Sequence, residues 1–303
     1  MTNESRSFNT TQLSLYLAGF LISFSPVFVK IAHVGPTMAG VYRTLFAGII
    51  LTTVAIYKKE PLQCDWRKYL FAVLIGFIFA VDLTAWHKSI HYIGPGLAAL
   101  LCNFQVFILS GFGVLFLKER LTLRFKIAVP LALTGLVLIF GWDWNHFSPQ
   151  YKLGFVLGLV TAFTYAGYTI SIRHSQTKPD SLSPLINLII ASFSTSFFMT
   201  IFSLLQGESF VIPDLPSWAS LISLGFLCHA GAWMIFSKYL PKVNASSAGL
   251  ILLLQPALAF IWDMILFKRP TTIWEIGGAA LTLAAIYLGA VTKSDKIASS
   301  ATT

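Results

Sequence analysis

The sequence predicts an all-α membrane protein with ten transmembrane helices, arranged as two inverted repeats of five. Three observations predict this fold class. Of the 303 residues, 56% are hydrophobic and 11% are charged, with a mean hydropathy of +0.74, whereas a soluble domain carries about 25% charged residues. The apolar residues form ten separate runs, and the two halves of the chain share a weak internal similarity.

The ten apolar runs are separated by prolines, glycines and charge clusters, which mark helix ends. Each run approaches the roughly 20 apolar residues that a spanning helix needs. The predicted spans are 11–32, 36–57, 68–87, 95–117, 122–141, 151–172, 184–205, 217–237, 243–267 and 272–292.

The distribution of positive charge predicts the orientation of the chain. An even number of spans places both termini on one side, and 15 of the 21 lysines and arginines fall in loops or tails on that side. The opposite side has four, namely Lys88, Lys152, Lys268 and Arg269. The positive-inside rule therefore predicts cytoplasmic N and C termini in a bacterial inner (plasma) membrane, and it accounts for the net charge of +9 without a nucleic-acid partner.

The internal repeat appears at a constant shift of 150 residues. Residues 93–122, IGPGLAALLCNFQVFILSGFGVLFLKERLT, align with residues 243–272, VNASSAGLILLLQPALAFIWDMILFKRPTT. Gln105 matches Gln255, and Lys118 matches Lys268. Because five is odd, the second unit enters the membrane in the opposite sense. We therefore predict a first repeat over 1–146 and a second, inverted repeat over 147–303.

These segments resemble the EamA-type branch of the drug/metabolite transporter superfamily. The resemblance rests on Lys30 at the end of helix 1, on PTMAGVYRTLFAGIIL with Arg43, and on GPGLAALLCNFQVFILSGFGVLFLKERLT followed by GLVLIF. It departs after helix 9, where this chain has Lys268-Arg269-Pro270 instead of an acidic residue. The resemblance implies a secondary transporter whose central cavity lies between the halves and alternates in access. Its substrate would be a small organic metabolite, such as an amino acid or a related amphipathic solute.

Four ionisable side chains inside the spans are candidates for gating or coupling. A charge at the centre of a span costs about 2.5–3.5 kcal/mol on insertion scales. Lys30, Arg43, Asp82 and Asp263 all lie toward the predicted outer ends of their helices. The functional reading is a charged gate in which Asp82 pairs with Arg43 or Lys30. The alternatives are a permanent structural ion pair, or basic side chains that extend to the interface.

Polar residues near the predicted midplane are candidates for substrate binding. They are Asn103, Gln105, Gln255 and His229, and the two glutamines are repeat mates. Transporters of this architecture bind substrate at that depth, between the repeats. The alternative for the glutamines is a hydrogen bond between helices, and for His229 a neutral ring bonded to a neighbouring helix. Because an unperturbed histidine has a pKa near 6.5, His229 also suits proton coupling. Asp82 is a second candidate for coupling.

Aromatic residues complete the predicted substrate site. Trp86 lies four residues after Asp82, and Trp233 lies four residues after His229, so each pair shares a helix face. Tyr168 is a further candidate for the wall of the cavity. His87, beside Trp86, is predicted to anchor the chain at the outer interface.

Motifs for catalysis, metal binding and nucleotide hydrolysis do not occur in the sequence. Cys64, Cys102 and Cys228 lack a CxxC spacing, and there is no HExxH, GxSxG or phosphate-binding motif. We therefore expect no cofactor and no enzymatic activity, and we expect an ion or substrate gradient to drive transport through the lipid bilayer. An intramembrane enzyme and a non-transporting receptor are the alternatives. Pro26 and Pro256, inside predicted spans, are candidate hinges.

Overall fold

The computed structural model describes residues 3–61, 65–117, 123–141, 144–176, 181–239, 243 and 245–300. These residues form helices and their connections, without a β-strand in the described ranges. We number the helices in chain order. They are α1 (Asn3–Ser23 and Ser25–Ile31), α2 (Pro36–Tyr57), α3 (Trp66–Ile93), α4 (Pro95–Cys102 and Gln105–Leu117), α5 (Leu123–Leu136 and the π-helix Val137–Gly141), α6 (Pro149–Ser175), α7 (Pro184–Leu205), α8 (Leu215–Ser223, the π-helix Leu224–Gly231 and Ala232–Tyr239), α9 (Ala245–Leu266) and α10 (Ile273–Ser300). A 3-10 turn, Trp144–His146, precedes α6.

The predicted spans match the helices closely. Helices α1 to α8 each contain a segment long and apolar enough to cross a membrane. The last two predicted spans coincide with shorter apolar helices, Leu250–Leu266 and Ile273–Gly289. The protein is therefore an all-helical chain with at least eight helices suited to a bilayer.

Helix starts follow the residues that the sequence places there. Proline stands in the first turn of α2, α6 and α7, where its missing N–H costs nothing. Five of the described helices begin after a side chain that accepts a hydrogen bond from a first-turn N–H. These capping residues are Asp65, Ser148, Ser183, Asp214 and Thr272.

Several helices are irregular in their middle, and the two candidate hinge prolines lie in different local structures. Helix α1 is interrupted at Phe24, two residues before Pro26. Helix α9 continues through Pro256. Two other interruptions contain no proline. They are the turn at Asn103–Phe104 in α4 and the π-helix Leu224–Gly231 in α8.

The helices of the first half pack against those of the second half in a regular pattern. Helix α2 packs on α7, α4 on α9 and α5 on α10. In addition, α3 packs on α6 and α7, while α8 packs on α1 and α2; α1 also packs on α9, and α4 on α6. If each helix is replaced by the one five positions away in the chain, α1 by α6, α6 by α1 and so on, the same set of packed pairs results.

Small residues bring the paired helices close together, as is common in membrane bundles. A Cβ on Gly76 of α3 would lie 2.6 Å from the Ser194 side chain of α7, and one on Gly135 of α5 would lie 2.7 Å from the Gly278 carbonyl oxygen of α10. A Cβ on Gly96 of α4 would lie 2.6 Å from the Cα of Phe260 in α9. The two halves therefore form one closely packed bundle.

Candidate functional site

A polar cluster lies in the interior, where α2, α3, α6 and α8 meet. Arg43 of α2 donates from Nε to Nδ1 of His229 at 3.3 Å, and its guanidinium carbon lies 5.4 Å from the ring centroid of Trp86. Arg43 is 6% exposed and His229 is 1% exposed. Three of the predicted site residues, from three helices, are therefore in contact.

The π-helix of α8 explains how His229 reaches Arg43. Gly225 lies against α2, where a Cβ would come within 3.0 Å of the Arg43 carbonyl oxygen. The backbones of α8 and α2 can therefore approach closely one turn before His229. Such π-helical turns are rare and occur frequently at functional sites.

Asp82 belongs to the same cluster but has a different partner from the predicted one. It is 2% exposed, and its Oδ1 accepts a hydrogen bond from Thr164 Oγ1 of α6 at 2.8 Å. It interacts electrostatically with Arg43, yet among the described residues no carboxylate lies within 4.0 Å of the Arg43 guanidinium. The predicted ion pair of Asp82 with Arg43 or Lys30 is therefore wrong for this conformation. The Thr164 hydroxyl supplies the donor instead.

Aromatic rings line one side of the cluster. Phe79 stacks on Tyr168 with 4.3 Å between ring centroids, and Tyr168 stacks on Tyr165 at 5.8 Å. The His229 ring lies 5.9 Å from Phe79, and its Nε2 is 3.5 Å from Ser192 Oγ. We call Phe79, Tyr165 and Tyr168 the ring wall. Tyr168 thus lies beside the polar cluster.

Two buried donors of the cluster have no hydrogen-bond partner among the described residues. They are Nη1 of Arg43 and Nε1 of Trp86. Trp86 packs against both of the largest groups of buried apolar residues, yet it is only partly buried. Tyr165 of the ring wall and Cys102 of α4 are likewise only partly buried. The side chains that border the cluster are therefore not completely covered by the described residues.

The remaining midplane candidates lie at or near helix irregularities. Gln105 is the first residue of the second segment of α4, and Gln255 directly precedes Pro256. Both are partly buried, and neither side chain makes a hydrogen bond to another residue in the ranges that the structure describes. Asn103 donates from Nδ2 to the Ala99 carbonyl oxygen of its own helix at 2.8 Å. Trp233 of α8, one turn beyond His229, is partly buried.

Lys30 and Asp263 lie away from the central cluster, in a group that we call the outer network. It joins α1, α3, α4 and α9 at the end of the bundle that carries residues 32–35, 94 and 267–272, the predicted outer end. Lys30 Nζ donates to the His91 carbonyl oxygen at 3.1 Å, and Asp263 Oδ2 accepts from the Gly96 N–H at 3.1 Å. Arg269 Nη1 is 3.6 Å from Asp263 Oδ2, and Arg269 Nη2 donates to Glu275 at 2.5 Å. Two of the four predicted gating residues thus meet at this end.

Further polar contacts join the two halves at the same end. Glu208, after α7, accepts hydrogen bonds from the N–H groups of Thr37 at 3.2 Å and Met38 at 2.7 Å, in the first turn of α2. His33, between α1 and α2, lies 2.6 Å from Asp214 at the start of α8. The hydrogen bond from His33, followed by those from Ser217, lowers the pKa of Asp214 to about 2.

His87 differs from its predicted role at the lipid interface. It is fully buried, and its Nδ1 lies 2.9 Å from the Pro36 carbonyl oxygen. The anchoring prediction is therefore wrong. Sequence reasoning also missed Thr164, Ser192 and Phe79, although a buried Asp82 signals that some neighbouring helix must present a hydroxyl or other donor.

In the part of the chain that the structure describes, no group of three histidine, cysteine or acidic side chains is arranged to hold a metal ion. What the cluster offers is a buried cation, a separate buried carboxyl group, two free N–H donors and a wall of rings. Such a combination is suited to binding a small polar organic molecule.

The family model and the related proteins described below are all transporters. The model of the EamA-like transporter family matches residues 10–141 and 152–290. An uncharacterized transporter of Haemophilus influenzae is 30% identical over 54% of this chain and 55% of its own length, so this chain spans about half of that relative. The uncharacterized transporter YvbV of Bacillus subtilis is 24% identical over 85% of this chain and 83% of its own. Human solute carrier family 35 member G1 is 21% identical over 91% and 78%. A crystal structure of another protein superposes with a TM-score of 0.63 over 94% of this chain and 98% of its own, at 15% identity, which shows the shared fold.

Proposed function

The chain belongs to the EamA-like transporter family, and from that premise we propose that it is a secondary transporter that carries a small organic solute across the membrane by alternating access. The solute class we propose is an amino acid or a related amphipathic metabolite. The observation that carries the proposal is the buried cluster of Arg43, Asp82 and His229 beside the ring wall, in contact with both halves of the bundle.

The packing pattern supports two inverted repeats, 1–146 and 147–303, around this cluster. Helix pairs that persist when each helix is exchanged for the one five positions away are those expected of two equivalent units related by a pseudo-twofold axis. The cluster draws on α2 and α3 of the first unit and on α6 and α8 of the second. This supports the cluster as the substrate site, because inverted-repeat transporters bind substrate at the interface between their repeats.

The contacts between α4 and α9 support a conformation that is closed at one end. The first segment of α4, Pro95–Cys102, packs extensively on α9, whereas the second segment, Gln105–Leu117, does not. The polar contacts of Asp263, Glu208 and Asp214 lie at the closed end. In the proposed cycle these contacts break when access changes, because a ligand can shift two conformations only through contacts that differ between them.

Asp82 is the group we propose for proton coupling. It is a buried carboxyl group with a neutral hydroxyl partner and no cation within ion-pair distance among the described residues. Its charge can therefore change without breaking a salt bridge. The buried ionisable residues of transporters often serve as such relays.

Flux into proteoliposomes tests the proposal. A thermal-shift screen of the purified protein against a metabolite library supplies candidate solutes, and uptake of each is then measured with and without a proton gradient. Recovery of the unchanged solute inside the vesicles separates transport from catalysis, and movement of the solute separates it from a receptor. A protein that moves none of the solutes it binds is not the transporter proposed here.

The repeat-mate glutamines provide the variants. Gln105→Ala and Gln255→Ala should each lower flux about 2- to 10-fold with expression intact, since a neutral hydrogen bond contributes about 0.5–1.5 kcal/mol. Gln150→Ala, an exposed glutamine in the first turn of α6, is the matched control. Wild-type flux in both variants removes the glutamines from the proposed site.

A further inference from the structure

We propose that Arg43 and Trp86 form a carboxylate-binding subsite, and that the transported solute is an organic monocarboxylate whose apolar body lies against the ring wall. The inference rests on the proposed function and specifies the chemistry of its substrate.

The first argument is one of charge. The Arg43 guanidinium is always protonated, and a buried charge without a counter-charge costs several kcal/mol. Its Nε donates to a ring nitrogen of His229, and no carboxylate lies within ion-pair distance in the described ranges. Asp82, a buried carboxyl group of the same cluster, accepts its hydrogen bond from Thr164. The positive charge is thus left for an anion that the protein itself does not supply.

The second argument concerns donors. More than 90% of buried polar groups in proteins have a hydrogen-bond partner. Two buried groups on neighbouring side chains depart from this rule, namely Arg43 Nη1 and Trp86 Nε1. Both are N–H donors with no acceptor among the described residues. Two donors on touching side chains match the two oxygens of one carboxylate, and arginine pairs with carboxylates through strong, directional hydrogen bonds.

The third argument concerns space and the rest of the ligand. Trp86, Tyr165 and Cys102 are only partly buried, so they keep surface that a ligand can contact. Tyr165, the partly buried member of the ring wall, offers an aromatic surface for the rest of the ligand. Asp82 lies within electrostatic range of Arg43 and disfavours a second negative charge. The arrangement therefore fits a monoanion with an apolar or aromatic body better than a dianion.

Matched acids and amides test the subsite. The probes are 3-phenylpropionate against 3-phenylpropionamide, and L-phenylalanine against L-phenylalaninamide, each added to the purified protein in a thermal-shift titration. We expect the acids to raise the Tm of the wild-type protein and the amides to bind at least 10-fold more weakly, because a hydrogen bond to a charged group is stronger than its neutral counterpart.

Variants assign the effect to the two side chains. Arg43→Gln should weaken binding of the acids about 10- to 100-fold, and Trp86→Phe, which keeps a ring but removes the N–H, should weaken it several-fold. Arg67→Gln is the matched control, because Arg67 also lies over a tryptophan ring, that of Trp66 at 5.7 Å, but is exposed at the opposite end of α3. If Arg43→Gln does not fold, Arg43→Lys, which keeps the charge, should still prefer acids to amides.

The outcomes separate the subsite from transport itself. The subsite is refuted if neither acid shifts the wild-type Tm, if amides bind as well as acids, or if Arg43→Gln binds the acids like the wild type. Binding of acids without any flux would leave the subsite standing and contradict the transport proposal. Flux confined to solutes without an acidic group would contradict the subsite and leave the transport proposal standing.

Discussion

Replacing Asp263 by asparagine should loosen the contact between α4 and α9 at the predicted outer end. Asp263 ties the two helices by accepting the Gly96 N–H at 3.1 Å, and it lies 3.6 Å from Arg269. It is 2% exposed, so water does not replace these partners in the closed conformation. Asparagine keeps the size of the side chain and its oxygen acceptor but loses the charge.

The expected change in free energy follows from the contacts that Asp263 makes with Gly96 and Arg269. A hydrogen bond to a charged group contributes about 1.5–3 kcal/mol and a neutral one about 0.5–1.5 kcal/mol. The Gly96 bond should therefore weaken by about 1 kcal/mol. Arg269 retains its hydrogen bond to Glu275, which limits the loss on that side. A change of about 1 kcal/mol favours the open form about fivefold.

Cysteine labelling measures the shift directly. Ala99→Cys is introduced on the α4 face that also carries Gly96, in a background without Cys64, Cys102 and Cys228, and is labelled with an impermeant maleimide. The labelling rate should rise about fivefold in Asp263→Asn, in proportion to the open population.

The control for this measurement is Asp65→Asn, at the opposite end of the bundle. It removes a carboxylate there and replaces one good helix cap by another, so labelling of the reporter should not change. If Asp263→Asn is labelled no faster than its parent, Asp263 does not hold α4 and α9 together. A rise of equal size in Asp65→Asn would show that the reporter responds to general loosening.

Three further changes test other parts of the molecule. Asp82→Asn should flatten the pH dependence of transport, because it removes the proposed proton carrier; an unchanged profile in the flux assay would leave Asp82 a structural residue. Gly94→Ala should lower the Tm by several degrees, since a φ of +92° costs about 1–2 kcal/mol with a Cβ, which would also lie 2.6 Å from Asp263 Oδ2. The lowered pKa of Asp214 adds stability above the unfolded value of about 3.9 that is lost toward pH 2, so the Tm advantage over Asp214→Asn should shrink on acidification, and a constant difference would contradict the role of His33.

The sequence predicted the helices well because their signals are local. Proline and capping residues mark the starts of α2, α6 and α7 in both sequence and structure. The π-helix around His229 and the turn at Asn103 had no such signal. Those irregularities depend on how α8 and α4 pack on their neighbours, which a single helix does not encode.

The composition of the site was only partly predictable, for a geometric reason. The cost of burying Arg43 and Asp82 marked both residues, and the structure places both in one cluster. Their partners depend on the rotation of α6 and α8 about their axes. A rotation that presents Thr164 to Asp82 and His229 to Arg43 excludes the expected ion pair, and only packing of the whole bundle fixes it.

Arg269 is one of the exceptions to the charge distribution from which we predicted the orientation of the chain. It is buried to 14% exposure between Asp263 and Glu275, and Glu275 in turn accepts the Thr272 N–H at 2.8 Å while Thr272 Oγ1 accepts the Glu275 N–H, a reciprocal cap of α10. Because its charge is neutralised by these two carboxylates, Arg269 should influence the orientation of the chain less than an unpaired loop charge does.

The shift of 150 residues makes this arrangement specific to one half. It places Gly113, Glu119 and Phe125 at the positions of Asp263, Arg269 and Glu275. Glycine and phenylalanine stand where the second half has carboxylates, and a glutamate stands where it has the arginine, so these residues lack the charges that their counterparts use. The charges of the outer network therefore have no counterparts at the matching positions of the first half.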